Sequence, residues 1–147
     1  MRLLLVVWML GMLGLSGTAS ADAATADARE RAVDTATAKR VLAKLVARAA
    51  PTRGEARHLD LSIVSLTVDP LGDTVVVSAE VRMAVSGGRG TLLQVFAGGA
   101  KVEIPGRSYR AHRLASMRED ALTGAVEAVF NRVKRTLQTR ELTVAAR

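Results

Sequence analysis

The chain has 147 residues, of which 49% are apolar and none is cysteine, and it carries a formal net charge of +7. This length suits one domain, and the apolar content suits a packed core and argues against a disordered chain. The absence of cysteine excludes disulfides, thiol catalysis and cysteine-based zinc sites. Only 3% of the residues are aromatic, so few rings are available to stack on sugars or single-stranded bases.

The N-terminus has the three parts of a secretory signal peptide in order. Met1 and Arg2 form a short positive region, residues 3–15 are an apolar run, and residues 16–21 are small and end in Ala-Ser-Ala. We predict cleavage after Ala21 and export to the periplasm or to the outside of the cell. The apolar run has about half the length that a bilayer requires, so a retained anchor is the weaker alternative. We expect no transmembrane segment after cleavage.

Residues 22–33 are polar and rich in alanine, which fits either a tail or a helical extension. From there, apolar residues recur at helical spacing. They predict an amphipathic helix that Asp34 or Thr35 caps and Pro51 ends. The apolar stripe comprises Ala38, Val41, Leu42, Leu45, Val46 and Ala49. We expect it to pack on a sheet, and a membrane-surface helix is the alternative.

Two segments, residues 59–68 and 74–85, show the two-residue alternation of strands with one buried face. In the second segment the odd positions are all apolar. In the first, the apolar positions change parity between Ile63 and Val64, which predicts a β-bulge. Proline and glycine between the two segments predict a hairpin turn.

Residues 86–90 are rich in glycine, and another strand follows them rather than a helix. We therefore predict a hairpin turn and not a phosphate-binding loop. Residues 91–104 then form one strand or a pair of strands. Their apolar positions are odd before Gly98 and even after Gly99. This change predicts a glycine bulge in one bent strand, and a two-residue turn is the alternative.

The loop at residues 105–113 holds the densest group of basic residues in the chain. Guanidinium groups bind phosphate in a bidentate manner. The candidate anion-binding residues are Arg107, Arg110, Arg113, His112 and Tyr109. A solvated loop without a ligand is the alternative.

Residues 114–137 predict a long amphipathic helix, with Arg118 among its polar side chains. Gly124 in its middle indicates either a close approach to the sheet or to the first helix, or a kink. Residues 138–147 are expected to be a frayed basic tail.

These elements predict an α+β fold in the order α-β-β-β-α. We expect a two-layer sandwich, with two helices packed on one face of an antiparallel β-meander of three strands, or four if residues 91–104 divide. The expected organisation is a signal peptide at 1–21, a polar segment at 22–33, one domain at 34–137 and a tail at 138–147.

The face of the sheet opposite the helices is predicted to mix polar and apolar side chains. Its polar residues are Ser78, Glu80, Arg82, Gln94, Lys101 and Glu103, and its apolar residues are Val76, Ala84, Leu92 and Phe96. Large apolar groups on a solvent face suggest that a partner or a second copy covers part of it. The candidate partner-binding residues are Val76, Leu92 and Phe96.

No catalytic or metal-binding motif is apparent in the sequence. His58 and His112 are its only histidines, and no serine lies in a nucleophile elbow. We expect no catalytic residue, cofactor or metal. We predict an exported, non-enzymatic protein of the bacterial cell envelope that acts as a protein-interaction or accessory module.

The alternative is an anion-binding module that recognises anionic lipid, lipopolysaccharide or another polyanion through residues 107–113. Export argues against nucleic acid as the partner.

Overall fold

A computed structural model describes the backbone of residues 17–49 and 57–145 and the side chains of residues 27–49 and 57–137. Most of the predicted signal peptide, residues 1–16, and the predicted helix-ending Pro51 lie outside this range. The described residues belong to two units, which divide between Arg31 and Ala32. In the first unit, residues 17–31 are helical. The sheet and its core belong to the second unit.

Among the described residues, two helices and three strands follow one another in the order α-β-β-β-α. They are α1 (Gly17–Arg48), β1 (His58–Leu71), β2 (Thr74–Ser86), β3 (Leu92–Pro105) and α2 (Leu114–Ala145). The strands form one antiparallel sheet in the order β1-β2-β3, and both helices contribute side chains to the core against it. The predicted α+β fold is therefore confirmed, and its third segment is one strand.

Helix α1 begins well before its predicted cap at Asp34 or Thr35, and both residues lie inside the helix. The reason is the alanine-rich segment that precedes them, because alanine has the highest helix propensity. The apolar stripe is largely as predicted. Ala38 and Leu42 are buried in the core, whereas Val46 at the edge of the stripe is half exposed.

The predicted bulge in β1 is confirmed. Ile63 pairs with Val81 and Ser65 pairs with Glu80, so Val64 is the extra residue. On both sides of the bulge, the apolar residues of β1 pack against the core. The bulge therefore absorbs the change of parity that the sequence contains.

Both predicted hairpin turns are present. Gly72 and Gly90 have positive φ angles of 57° and 76°, which favour glycine. In the second turn, the amide of Gly87 donates to the carbonyl of Thr91 at 2.9 Å. The glycine-rich segment thus joins two strands of the sheet.

The prediction of a bulge at Gly98 and Gly99 is wrong. The pairing of β3 with β2 is continuous through both glycines, so the even-numbered residues from 94 to 104 face the helices. The register shifts instead at the start of β3, where Leu93 is the extra residue.

Close packing of α2 on β3 explains Gly98 and Gly124, whereas a β carbon on Gly99 would meet the backbone oxygen of Ala79 in β2. A β carbon on Gly98 would lie 2.7 Å from Cγ2 of Val129 in α2. A β carbon on Gly124 of α2 would lie 3.0 Å from Cβ of Ala100 in β3. Of the alternatives predicted for Gly124, the structure shows the close approach to the sheet. The small residues of β3 mark the place where the helix lies on the strand.

The core lies between the helices and the sheet and is almost entirely aliphatic. Its largest fully buried side chains are Met83, Leu122, Val77, Val81, Val85, Val126 and Val129. Helix α2 packs over β2 and β3. It continues to Ala145, so residues 138–145, which were expected to be a frayed tail, are helical.

Candidate functional site

The three predicted partner-binding residues lie in different environments. Phe96 pairs with Met83, is 5% exposed and belongs to the core, so its assignment to the solvent face is wrong. Val76 lies on the face opposite the helices but is only 6% exposed. Leu92 is exposed, at 59%. The error at Phe96 follows from the wrong bulge position, because a shift of one residue turns a side chain to the other face.

We call the side of the sheet that points away from the helices the outer face. Residues that pair across antiparallel strands share a face, so the strand register shows which residues lie on the outer face. Between the levels of Val76 and Ala84, its residues are Asp60, Ser62, Ser65, Thr67 and Asp69 on β1, Val76, Ser78, Glu80, Arg82 and Ala84 on β2, and Val95, Ala97, Gly99, Lys101 and Glu103 on β3. Most of these side chains are short or charged. Gln94, which was predicted here, lies on the core side instead.

One corner of the sheet is apolar and exposed. Leu92, Leu93 and Val95 are 59%, 49% and 50% exposed, and we call these three residues the apolar corner. Leu93 and Val95 were predicted to face the core. The register shift at Leu93 brings the three side chains to the end of the sheet beside the β2–β3 turn. Clustered exposed apolar groups mark interaction sites more often than scattered ones do.

Two opposite charges, Glu80 and Arg82, lie at the centre of the outer face. Their cross-strand neighbours are Ser65 and Gly99 for Glu80, and Ser62 and Ala97 for Arg82. Both charged side chains are exposed, and neither forms a salt bridge with a described residue. Because the neighbours are small, both charges are accessible to a molecule that approaches the outer face.

The basic loop runs through two short 3-10 turns, Gly106–Ser108 and Ala111–Arg113, before α2. The guanidinium of Arg110 folds back on the loop, and its Nη1 donates to the carbonyl of Tyr109 at 2.8 Å and to that of Arg107 at 3.2 Å. Tyr109 is half buried and packs against the core. It therefore supports the loop and is not displayed with the arginines.

The remaining predicted anion-binding residues, Arg107, His112 and Arg113, are exposed. No carboxylate of the described side chains pairs with Arg107, Arg110 or Arg113. The loop thus displays several cationic groups whose charge is not neutralised nearby.

Two arginines of α2 make contacts that the sequence analysis did not identify. Nη2 of Arg118 donates to Oδ2 of Asp34 in α1 at 2.6 Å, with side-chain exposures of only 16% and 12%. Nη1 of Arg132 donates to the carbonyl of Ala97 at 3.0 Å. The first contact joins the two helices, and the second joins α2 to β3. Neither has a local signature, since each depends on how distant segments pack.

The described residues contain no group of three or more histidine, aspartate or glutamate side chains that could hold a metal ion. Within the same part of the chain, neither helix combines the length and the apolarity that crossing a bilayer requires.

No family model matches the chain, and no curated protein matches its sequence. Among solved structures, the chain is similar to the crystal structure of a "putative lipoprotein from Caulobacter crescentus CB15". The two are 12% identical, with a TM-score of 0.49, over 72% of this chain and 81% of that chain.

Proposed function

We propose that this chain is an exported, non-enzymatic protein-interaction module of the bacterial cell envelope, and that its partner binds the outer face at the apolar corner. The observation that supports the binding site is the exposure of Leu92, Leu93 and Val95, three large apolar side chains within four residues. The envelope location rests on the three-part N-terminal segment at residues 1–21.

The apolar corner offers a useful binding energy. Burying a valine or leucine side chain completely is worth about 1.5–3 kcal/mol relative to full exposure. Each of the three side chains is about half exposed, so a partner that covers all three gains a few kcal/mol from them. This is the contribution expected of a small cluster of energetically important residues in an interface.

The test replaces the apolar corner and compares it with a matched apolar site. The triple variant Leu92→Ser, Leu93→Ser and Val95→Thr removes the corner. Leu71→Ser is the control, because Leu71 is 68% exposed and lies at the opposite end of the sheet. Each protein is produced at its native level and chemically crosslinked in the intact envelope, and the adducts are then identified by mass spectrometry.

We expect the wild type and the Leu71 variant to give the same adducts, and the corner variant to lose them while it melts at a similar temperature. Adducts that persist unchanged in a folded corner variant would reject the proposed site.

A second candidate function is the binding of anionic lipid head groups by the basic loop. It is favoured by the exposed arginines of the loop, which no described carboxylate neutralises. The test uses Arg107→Gln with Arg113→Gln and leaves Arg110, whose guanidinium holds the loop. Arg57→Gln with Arg89→Gln is the control, because it makes the same change of charge at two other exposed arginines.

Each basic residue near an anionic membrane contributes about 1 kcal/mol. We therefore expect the loop variant to bind phosphatidylglycerol vesicles on the order of tenfold or more weakly than the control does, and salt to weaken the wild-type binding. Equal binding by the two variants would assign the effect to overall charge and reject the loop as a site.

A further inference from the structure

We propose that the partner of the outer face is a second copy of this chain, bound face to face about a two-fold axis that passes over β2 at the level of Val81. The proposal rests on the proposed function, because it names the partner of the same surface. Its basis is the charge pattern at the centre of the outer face, where Glu80 and Arg82 occupy successive outward positions of the middle strand.

A two-fold axis that lies between the sheets, perpendicular to the strands, makes this pattern complementary to itself. It sets each β2 antiparallel to the β2 of the second copy. Glu80 of one copy then lies opposite Arg82 of the other, and the reverse pair forms at the same time. Such a contact is isologous, so both copies use the same residues and the assembly closes at two.

The alternative alignment, with the two β2 strands parallel, is disfavoured. It would set Glu80 against Glu80 and Arg82 against Arg82. Like charges placed against each other across an interface cost several kcal/mol. The charge pattern therefore favours the antiparallel orientation of the two β2 strands, with a second copy of the chain as the partner.

Small residues around the two charges permit the approach of a second sheet. The axis that pairs Glu80 with Arg82 also sets Ser62 opposite Ser65, and Ala97 opposite Gly99. Packed sheets lie about 10 Å apart, which short side chains on both surfaces allow. The only long side chains at this level of the outer face are Glu80 and Arg82 themselves, and the small neighbours leave room for them to lie between the sheets.

The same axis gives the apolar corner a neighbour. Val95 of one copy lies on the outer face opposite Lys101 of the second. The four-carbon stem of a lysine can cover an apolar surface while its ammonium group stays in water. The dimer thus shields part of the corner at each end of the interface and forms two central ion pairs.

The size of the face is adequate for a specific interface. The strands contain 13 or 14 residues each. With a rise of about 3.4 Å per residue and a strand spacing of about 4.8 Å, three such strands cover about 600 Å² per copy. A total of about 1,200 Å² is at the lower limit of specific protein–protein interfaces. We therefore expect a reversible dimer.

The experiment reverses the two charges separately and together. Glu80→Arg, Arg82→Glu and the double variant are compared with wild type by sedimentation equilibrium over a range of concentrations, with the full chain as the producing cell exports it. Glu127→Arg is the control, because Glu127 is an exposed acid of α2 away from the outer face.

We expect the wild type and the Glu127 variant to dimerise equally, and each single variant to dimerise at least tenfold more weakly. The double variant should regain the wild-type affinity, because the reciprocal pairs are restored with opposite sign. An equimolar mixture of the two single variants should form a heterodimer, since one copy then presents two cations and the other two anions.

A wild type that remains monomeric at all concentrations, or a double variant that does not recover, would overturn the proposal. The proposed function has a separate outcome. The wild type could be monomeric and still give crosslinks that the apolar corner variant loses. This result would reject self-association and retain a different protein as the partner. If the double variant regains the wild-type affinity but the apolar corner variant gives unchanged crosslinks, the dimer is retained and the apolar corner is rejected as a binding site.

Discussion

Cγ2 of Val129 occupies the space in which a side chain at Gly98 would begin, 2.7 Å from the position of a β carbon there. Val129 is buried and β-branched, so it has little freedom to move aside. We expect Gly98→Ala to lower the free energy of unfolding by about 1–3 kcal/mol through overpacking. Denaturant unfolding measures this loss.

The control for this prediction is Gly87→Ala. A β carbon at Gly87 meets Leu93 at an ordinary 3.8 Å, so we expect a change of less than about 0.5 kcal/mol. Val129→Ala in the Gly98→Ala background should recover part of the loss. Equal stability of the two glycine variants would show that α2 does not lie against β3 at this point.

The ion pair between Asp34 and Arg118 should couple the two helices energetically. Both side chains are largely buried, so removal of one charge leaves the other poorly solvated. We expect Asp34→Asn to cost about 1–3 kcal/mol, which is typical of a charged hydrogen bond.

A double-mutant cycle with Arg118→Met measures the coupling. The double variant should lose less stability than the two single losses added together. Asp120→Asn, at an exposed acid of α2, serves as a reference and should be nearly neutral. Strict additivity of the two single changes would exclude an energetic interaction between Asp34 and Arg118.

Deletion of Val64 should be tolerated because this residue is the extra one in the β1 bulge. Without it, Ile63 and Ser65 become successive residues that keep their pairings with Val81 and Glu80. We expect the deletion to change the free energy of unfolding by about 1 kcal/mol or less, within the range of ordinary mutations.

Deletion of Thr67 is the matched comparison. It leaves no register in which both Leu66 and Val68 face the core, since a shift of one residue reverses the face. We expect a severe loss of stability in thermal unfolding. Comparable melting temperatures for the two deletions would contradict the described register.

Processing at the N-terminus can be predicted from residues 16–21. Replacement of Ala19 or Ala21 by leucine should block cleavage, because the small residues of the A-x-A pattern are required at these two positions. Ser20→Leu changes the variable middle position and should be processed normally. Intact mass measurement of the exported protein distinguishes the forms, and an uncleaved wild type would refute the signal peptide.

The sequence predicted correctly those strands in which apolar and polar side chains contrast clearly within the segment itself. In residues 74–85 the odd positions are all apolar and most of the even positions are polar, so the buried face of β2 is unambiguous. The parity change at Val64 also lies between large apolar residues on both sides, and it locates the bulge correctly. Such contrasts of size and polarity predict the buried face because large apolar side chains pack in the core and polar side chains remain in water.

The face of β3 was misassigned because its middle lacks this contrast. Gly98 and Ala100 are small where α2 packs closely, and Val95 is apolar although it is exposed. The register of β3 is fixed by its pairing with β2 and by the approach of the helix, and neither is encoded locally. The candidate site differs accordingly from the prediction. Leu92 lies at the surface as predicted, whereas Phe96 lies in the core.

The ion pair between the helices has a consequence for the order in which the protein assembles. Asp34 and Arg118 are 84 residues apart, and the whole sheet lies between them. A chain that leaves a ribosome or a translocation channel with its N-terminus first therefore cannot form this contact between α1 and α2 until Arg118 has also emerged. In the interval α1 lacks its ion pair to α2, and its apolar stripe is a surface that a chaperone could shield.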